Sequence, residues 1–237
     1  MNIKNCISEL LGTFALIFLG TMLLITSYYG MYAAILMGLI IVAWAYAFSN
    51  YNIQLNPVIT LALMLRNKID KRQGVLNIIF QIIGAIIGTL GVWIALDMPS
   101  SGLGENYALL NYSVTATFAA ELIASFILVL AVLRASDNLS NKHTGFVMGL
   151  LYAVGVIALI HFTASGGSMN PARSLAPAVF AGGDALNDLW IYIAAPIMGC
   201  LLAALVHKVY EVAPGDEEDI EISDDEVPEE MSDEIEA

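Results

Sequence analysis

Charged and chemically reactive residues are scarce in this chain. Only 13% of its 237 residues are charged, whereas 58% are hydrophobic, a composition typical of proteins that have a lipid bilayer as solvent. Two cysteines, Cys6 and Cys200, provide neither a disulfide framework nor a metal-ligand spacing. The three histidines are dispersed, and no serine or cysteine has a catalytic partner at a recognisable spacing. We therefore expect no enzymatic activity, no cofactor, no metal and no nucleic-acid partner.

Lysine and arginine are absent from the segment 216–237, which holds 13 of the 22 acidic residues. Its like charges repel one another, and its few apolar residues cannot build a core. We predict that 213–237 is a disordered acidic tail on the cytoplasmic side, with a regulatory or partner-binding role as the alternative. Without this tail the chain is close to neutral.

Long apolar runs occupy most of the remaining sequence. A helix needs about 20 mostly apolar residues to cross a bilayer. Two shorter apolar stretches, 57–65 and 171–181, have about half that length and cannot cross alone. The pattern predicts an all-α membrane protein, the lipid bilayer being its solvent, with six spans at 7–28, 31–49, 74–96, 115–135, 144–164 and 188–209.

Basic residues fall in alternate connections between the predicted spans, a distribution that the positive-inside rule assigns to the cytoplasm. We therefore predict a multi-pass protein, in the plasma membrane, with both termini cytoplasmic. Arg173 is the exception, because it lies in an apolar context on the opposite side. The residues that set the orientation are Lys4, Arg66, Lys68, Lys71, Arg72, Arg134, Lys142 and Lys208.

The sequence contains an internal repeat. The segment 9–14, ELLGTF, recurs as ELIASF at 121–126, and Asn56-Pro57 recurs as Asn170-Pro171 at a nearly equal offset. Each half contains three spans, so the second copy must enter the membrane from the opposite side. The chain is thus predicted to form two inverted repeats, 1–112 and 113–212, with a solute path near the midplane where they meet.

Each Asn-Pro pair opens one of the short apolar stretches and predicts a re-entrant half-helix. Asparagine is a favoured N-cap, and proline at the first helical position has no N–H to lose. In an inverted repeat, the positive N-terminal ends of both half-helices point at a shared centre and repel cations. The side-chain amides of Asn56 and Asn170 are then free to donate to a passing water, which interrupts proton hopping.

Arg173 lies in the first turn of the second half-helix. An arginine at membrane depth costs at least about 3 kcal/mol unless it faces a wet cavity or a partner, so we assign it to the wall of an outer constriction. Glu9 and Glu121 lie within apolar spans, where an ionisable group is a functional candidate.

The segment 167–174, GSMNPARS, resembles the second signature loop of the aquaporin and glycerol-facilitator family, and 55–60, LNPVIT, resembles the first. The resemblance covers about residues 5 to 210. It implies an aquaporin-like fold, a homotetramer with one pore per subunit, and structural bracing of the two loops by Glu9 and Glu121. The pore residues it implies are Asn56, Pro57, Val58, Asn170, Pro171, Ala172, Arg173, Gly167, His161 and Met37.

The sequence departs from the family at several pore positions. Val58 replaces the usual alanine, Gln54 replaces a common histidine, and Gly167 occupies a position that often holds cysteine or threonine. Met37 matches the constriction position of the second span, although rigid counting from Asn56 gives Leu36. In the fifth span the constriction residue is His161 or Ala158, depending on the alignment.

The sequence favours a passive channel for water that excludes protons and ions. A channel for glycerol or other small uncharged solutes is the closest alternative, because an aliphatic residue at 37 and Gly167 would widen the constriction. A coupled secondary transporter shares the inverted repeat and broken helices. Its spans would need a charged coupling site, for which only Glu9, Glu121 and Arg173 are available.

Overall fold

The computed structural model describes residues 2–26, 30–97, 102–108, 113–160 and 166–210. Nine α-helices form within these ranges, and two of them begin at the predicted Asn-Pro pairs. The helices are α1 Ile3–Thr26, α2 Gly30–Ala47, α3 Pro57–Leu65, α4 Lys71–Leu96, α5 Val114–Asn138, α6 Asn141–Leu159, α7 Pro171–Ala181, α8 Gly183–Asn187 and α9 Ile191–Val209.

The predicted all-α membrane fold is confirmed: six long helices correspond to the six apolar runs, and α3 and α7 to the two short ones. Five of the long helical segments have the length and hydropathy of membrane spans, and the apolar part of α2, Met31–Ala47, is slightly shorter. The fifth predicted span reached residue 164, but α6 ends at Leu159, and 161–165 lie outside the described residues. The short helix α8 was not predicted, because five residues carry no clear periodic signal.

Polar caps fix where several helices begin. The Asp70 side chain accepts a hydrogen bond from the backbone N–H of Gln73 at 3.0 Å, so α4 starts at Lys71, three residues before the predicted span. The Ser113 hydroxyl accepts from the N–H of Ala116 at 3.1 Å at the start of α5. Both caps satisfy orphan donors of the first turn.

The two halves pack in the same way. Helix α1 packs chiefly on α4, and its counterpart α5 packs chiefly on α9. Glycines permit both contacts: a Cβ at Gly84 would lie 2.3 Å from the Leu10 carbonyl oxygen, and one at Gly199 would lie 2.5 Å from that of Leu122. The repeated sequence therefore produces the same close helix packing twice, as small residues do at helix interfaces in membranes.

Helices α2 and α6 join the halves through two facing glycines. A Cβ at Gly38 would lie 2.4 Å from the Gly149 carbonyl oxygen, and one at Gly149 would lie 2.5 Å from that of Gly38. Backbone atoms cannot move aside as the end of a side chain can. A larger residue at either position would therefore overpack the contact.

We expect Gly149→Ala to lower the free energy of unfolding by about 1–3 kcal/mol, because it overpacks this contact. Gly91→Ala is the matched control, since its Cβ would meet side-chain atoms alone, the Phe18 ring at 3.0 Å and the Phe14 ring at 3.9 Å. Thermal unfolding of the detergent-solubilised protein, followed by circular dichroism, measures the difference. Equal melting temperatures for the two variants would show that the contact between Gly38 and Gly149 tolerates a larger residue.

Candidate pore

The two half-helices begin with asparagine caps, as predicted. The Asn56 Oδ1 accepts a hydrogen bond from the N–H of Val58 at 3.1 Å. The Asn170 Oδ1 accepts from the N–H of Ala172 at 3.1 Å and from that of Arg173 at 3.4 Å. Pro57 and Pro171 each occupy the first helical position. All seven of these residues belong to the predicted pore set, so the sequence located both half-helix ends.

The two caps are also tied to each other. The Asn56 Nδ2 donates to the Met169 carbonyl at 2.8 Å, and the Asn170 Nδ2 donates to the Leu55 carbonyl at 2.9 Å. Both asparagines are buried, with 4% and 1% of their surface exposed. Each amide thus uses one hydrogen on the opposite loop and keeps one more for another acceptor. The two side-chain amides were predicted to be free to donate to the lumen, and this reciprocal pair was not predicted.

Leu55 and Met169, whose carbonyls accept these two hydrogen bonds, have an unusual backbone conformation. Their φ angles are 53° and 49°, in the left-handed region that costs about 1–2 kcal/mol for a residue with a side chain. The equivalent residues of the two halves therefore share the same local strain. Strain of this kind persists only where the surrounding structure fixes it.

Two buried glutamates accept hydrogen bonds from these strained loops. Glu9 accepts from the N–H of Gln54 at 2.7 Å and from that of Leu55 at 2.8 Å, one bond on each carboxylate oxygen. Glu121 accepts in the same way from Ser168 at 2.7 Å and Met169 at 2.8 Å. Both glutamates have no exposed surface. Each carboxylate is therefore occupied by backbone donors of a pore loop.

A network of buried amide side chains extends the contact of the first loop. The Gln81 Nε2 donates to Glu9 Oε2 at 2.7 Å and to Thr60 Oγ1 at 2.9 Å. The Asn77 Nδ2 donates to Gln54 Oε1 at 2.9 Å. Gln54, at the position where the family often has histidine, is 1% exposed and belongs to this network. The signal for it was visible in the sequence, since Asn77 and Gln81 stand four residues apart in an apolar span.

Arg173 is held by a residue that the sequence analysis did not single out. Its Nη1 donates to Asn106 Oδ1, and the Asn106 Nδ2 donates to the Gly166 carbonyl at 2.8 Å. The Ser174 Oγ lies 2.8 Å from the same Asn106 oxygen. Asn106 lies in the described part, 102–108, of the connection between α4 and α5, and Arg173 is only 2% exposed. This connection therefore reaches into the protein and fixes the arginine.

Leu159 is one of several α6 residues that pack against the second pore loop. A Cβ at Gly167 would lie 2.3 Å from Leu159 Cδ1 and 2.5 Å from its Cβ, and Leu159 is 3% exposed. Ala158 lies instead on the outer surface, in an apolar groove between α5 and α6. His161, the other predicted constriction residue, lies outside the described residues. Gly167 thus leaves space that the leucine fills.

Met37 and Val58 both face the interior. Met37 is 1% exposed and packs on Gly20 of α1, where a Cβ would lie 2.9 Å from Met37 Cγ, while Leu36 is on the surface with 38% exposed. Of the two alignments for the second span, only the one that selects Met37 gives an interior residue. Val58 is 1% exposed, and its carbonyl accepts from the Cys200 thiol at 3.4 Å.

Two capped half-helices that meet end to end inside six long apolar helices define a membrane channel of the inverted-repeat class. In the described ranges, no group of His, Cys, Asp or Glu side chains could hold a metal ion. The chain matches the family described as Major intrinsic protein over residues 1–207. It therefore belongs to the major intrinsic protein family of membrane channels.

Individual relatives carry two kinds of name. The chain is 36% identical over 212 residues to a glycerol uptake facilitator protein-like 6 of Lactiplantibacillus plantarum, covering 87% of this chain and 97% of the relative. It is 28% identical over 233 residues to aquaporin Z of Rhodopseudomonas palustris, covering 90% and 96%. The structure of the aquaglyceroporin from Plasmodium falciparum superposes with a TM-score of 0.76 at 24% identity, covering 86% of this chain and 95% of that one.

Proposed function

We propose that the chain is a passive channel for water and small uncharged solutes of glycerol size, and that it excludes ions and protons. The observation that carries the proposal is the reciprocal pair of hydrogen bonds at the centre, Asn56 to Met169 and Asn170 to Leu55. It holds two helix N-termini against each other, and their positive ends disfavour a cation there. The amide hydrogens not used in the pair can donate to a solute oxygen, the general account for aquaporin-type pores.

The side chains that we assign to the outer constriction favour a solute larger than water. We assign the outer constriction to Arg173, Gly167, Leu159 and Met37, of which only the arginine is polar in its side chain. A wall that is apolar on one side and donates hydrogen bonds on the other suits a short polyol, which has a carbon face and a hydroxyl face. The name of the Lactiplantibacillus plantarum relative, a glycerol uptake facilitator protein-like protein, supports the same solute class.

We expect Leu159→His to lower glycerol permeability about 10-fold and to leave water permeability nearly unchanged, because a ring opposite Gly167 narrows the passage. Stopped-flow light scattering of proteoliposomes, with a sucrose gradient for water and a glycerol gradient for glycerol, measures both. Ala158→His is the matched control, since Ala158 is exposed on the outer surface whereas Leu159 is buried against Gly167.

Three outcomes would contradict the proposal. Proteoliposomes with the wild-type protein that pass water but no glycerol would restrict the function to water. An equal decrease in glycerol permeability for the two histidine variants would show that Leu159 does not line the constriction. Uptake of a solute against its gradient would indicate the coupled transporter, although Glu9 and Glu121 each already accept two backbone hydrogen bonds.

We also propose a homotetramer, inserted so that the basic end of the bundle faces the cytoplasm. Two apolar grooves on different outer faces support the assembly. One, of about 450 Å³, lies between α5 and α6 and includes Ile123 and Ala158. The other, of about 410 Å³, lies between α1 and α2 and includes Leu19 and Leu36. Contacts between unlike faces generate a ring where the rotation between subunits closes, as fourfold symmetry does.

A further inference from the structure

One end of the helix bundle carries a surplus of positive charge. Eight of the nine lysines and arginines lie at helix ends or connections on this side, which also holds the acidic residues Asp70 and Asp137. We call it the basic face. Its lysines and arginines are Lys4, Arg66, Lys68, Lys71, Arg72, Arg134, Lys142 and Lys208.

Several of these cations converge on one carboxylate. Lys68 forms an ion pair with Asp137, and the Arg134 Nη1 lies 3.1 Å from Asp137 Oδ2. His207, which is fully buried, lies 2.8 Å from the same oxygen and accepts from the Arg66 Nε at 3.2 Å. We call these five residues the Asp137 cluster. Two permanent cations, Lys68 and Arg134, share the one carboxylate of Asp137, so the cluster keeps a net positive charge.

The C-terminal segment leaves the bundle at this cluster. The Arg134 guanidinium lies 5.3 Å from the centre of the Tyr210 ring, and its Nη1 donates to the Tyr210 carbonyl at 3.4 Å. The 27 residues that follow contain 14 acidic residues and no lysine or arginine. A chain of 27 residues can span roughly 30 Å, which is enough to reach the cluster from Tyr210.

We propose that the acidic segment 216–226 docks on the basic face at the Asp137 cluster of its own chain. Eight of its eleven residues are acidic, and they begin six residues after Tyr210. Each surface ion pair contributes only about 0.2–1 kcal/mol, but the tether supplies an effective concentration of order millimolar. Many weak pairs then suffice for docking, which is therefore sensitive to salt. This inference does not depend on the solute that the pore conducts.

The test is an NMR titration of the isotope-labelled full chain in nanodiscs of zwitterionic lipid. A docked tail tumbles with the slow nanodisc and loses its amide signals, whereas a free tail gives sharp ones. We expect at least about a 5-fold loss of signal for 216–226 at about 10 mM salt, and recovery at about 1 M, where the screening length falls to about 3 Å.

Charge-neutral variants locate the docking site. Lys68→Gln with Arg134→Gln is expected to restore sharp signals at low salt. Lys71→Gln with Arg72→Gln removes the same charge from another part of the basic face and should leave the signals weak. Neutralising Asp216, Glu217, Glu218 and Asp219 in the tail should also release it, without touching the bundle.

Three results would overturn the proposal. Sharp tail signals at every salt concentration would show that the segment does not dock. Equal recovery in the two paired variants would indicate attraction by overall charge rather than by the cluster. Tail signals that weaken only in nanodiscs of anionic lipid with a bridging divalent cation would assign the binding to lipid headgroups.

Discussion

Glu121→Ala is expected to abolish the folded channel. The substitution leaves the N–H groups of Ser168 and Met169 buried without an acceptor, at a cost of about 1–3 kcal/mol for each donor. Met169 also loses the partner that holds its left-handed backbone. The summed cost is a large part of the stability of a typical domain, about 5–15 kcal/mol. Yield of monodisperse protein and water permeability of proteoliposomes measure the loss.

The repeat supplies an internal comparison for this expectation. Glu9→Ala removes the same two bonds from the first loop and should have a similar effect. Asp184→Asn, an exposed acid on α8, is the control and should leave both measurements unchanged. A stable and permeable Glu121→Ala protein would show that the loops hold their shape without the carboxylate.

Arg173→Val is expected to make the channel leak protons and small cations. It removes the buried positive charge that we assign to the outer constriction, and a unit charge at 4 Å contributes about 4 kcal/mol at an effective dielectric constant of 20. The positive N-terminal ends of α3 and α7 remain at the centre of the channel. We therefore expect the proton leak to increase about 100-fold, less than the loss of about 4 kcal/mol alone would give. A pH-sensitive dye inside proteoliposomes measures the proton flux.

Arg173→Lys separates charge from geometry. Lysine lacks the planar fork that reaches Asn106 but keeps the positive charge. Because the charge remains, the lysine variant should retain most of the barrier to protons. A leak of equal size in the lysine and valine variants would mean that the hydrogen bond to Asn106, and not the charge, maintains the exclusion.

The sequence predicted those features that follow from local chemistry and periodicity. Long apolar runs located the spans, and the two Asn-Pro pairs located the half-helices, because capping is decided within a few residues. The repeat also indicated that Glu9 and Glu121 occupy equivalent places. Each of these signals lies within a short stretch of sequence or in the comparison of two such stretches.

Contacts between distant segments could not be predicted in this way. The carbonyl that accepts from Asn56 belongs to Met169, 113 residues away, and only the three-dimensional fold brings them together. Asn106 lies in a connection without periodicity, so nothing in the sequence marked it as the partner of Arg173. The packing of Leu159 on Gly167 was not predicted either, because no motif in the sequence marked that leucine.

Two hydrogen bonds, from Asn56 to Met169 and from Asn170 to Leu55, join the two halves in the middle of the protein. Four residues from both halves are fastened there, so the waist cannot widen by sliding one half past the other without breaking both bonds at once. We therefore expect any opening or closing of the channel to occur at its two ends, where the connections between the helices lie.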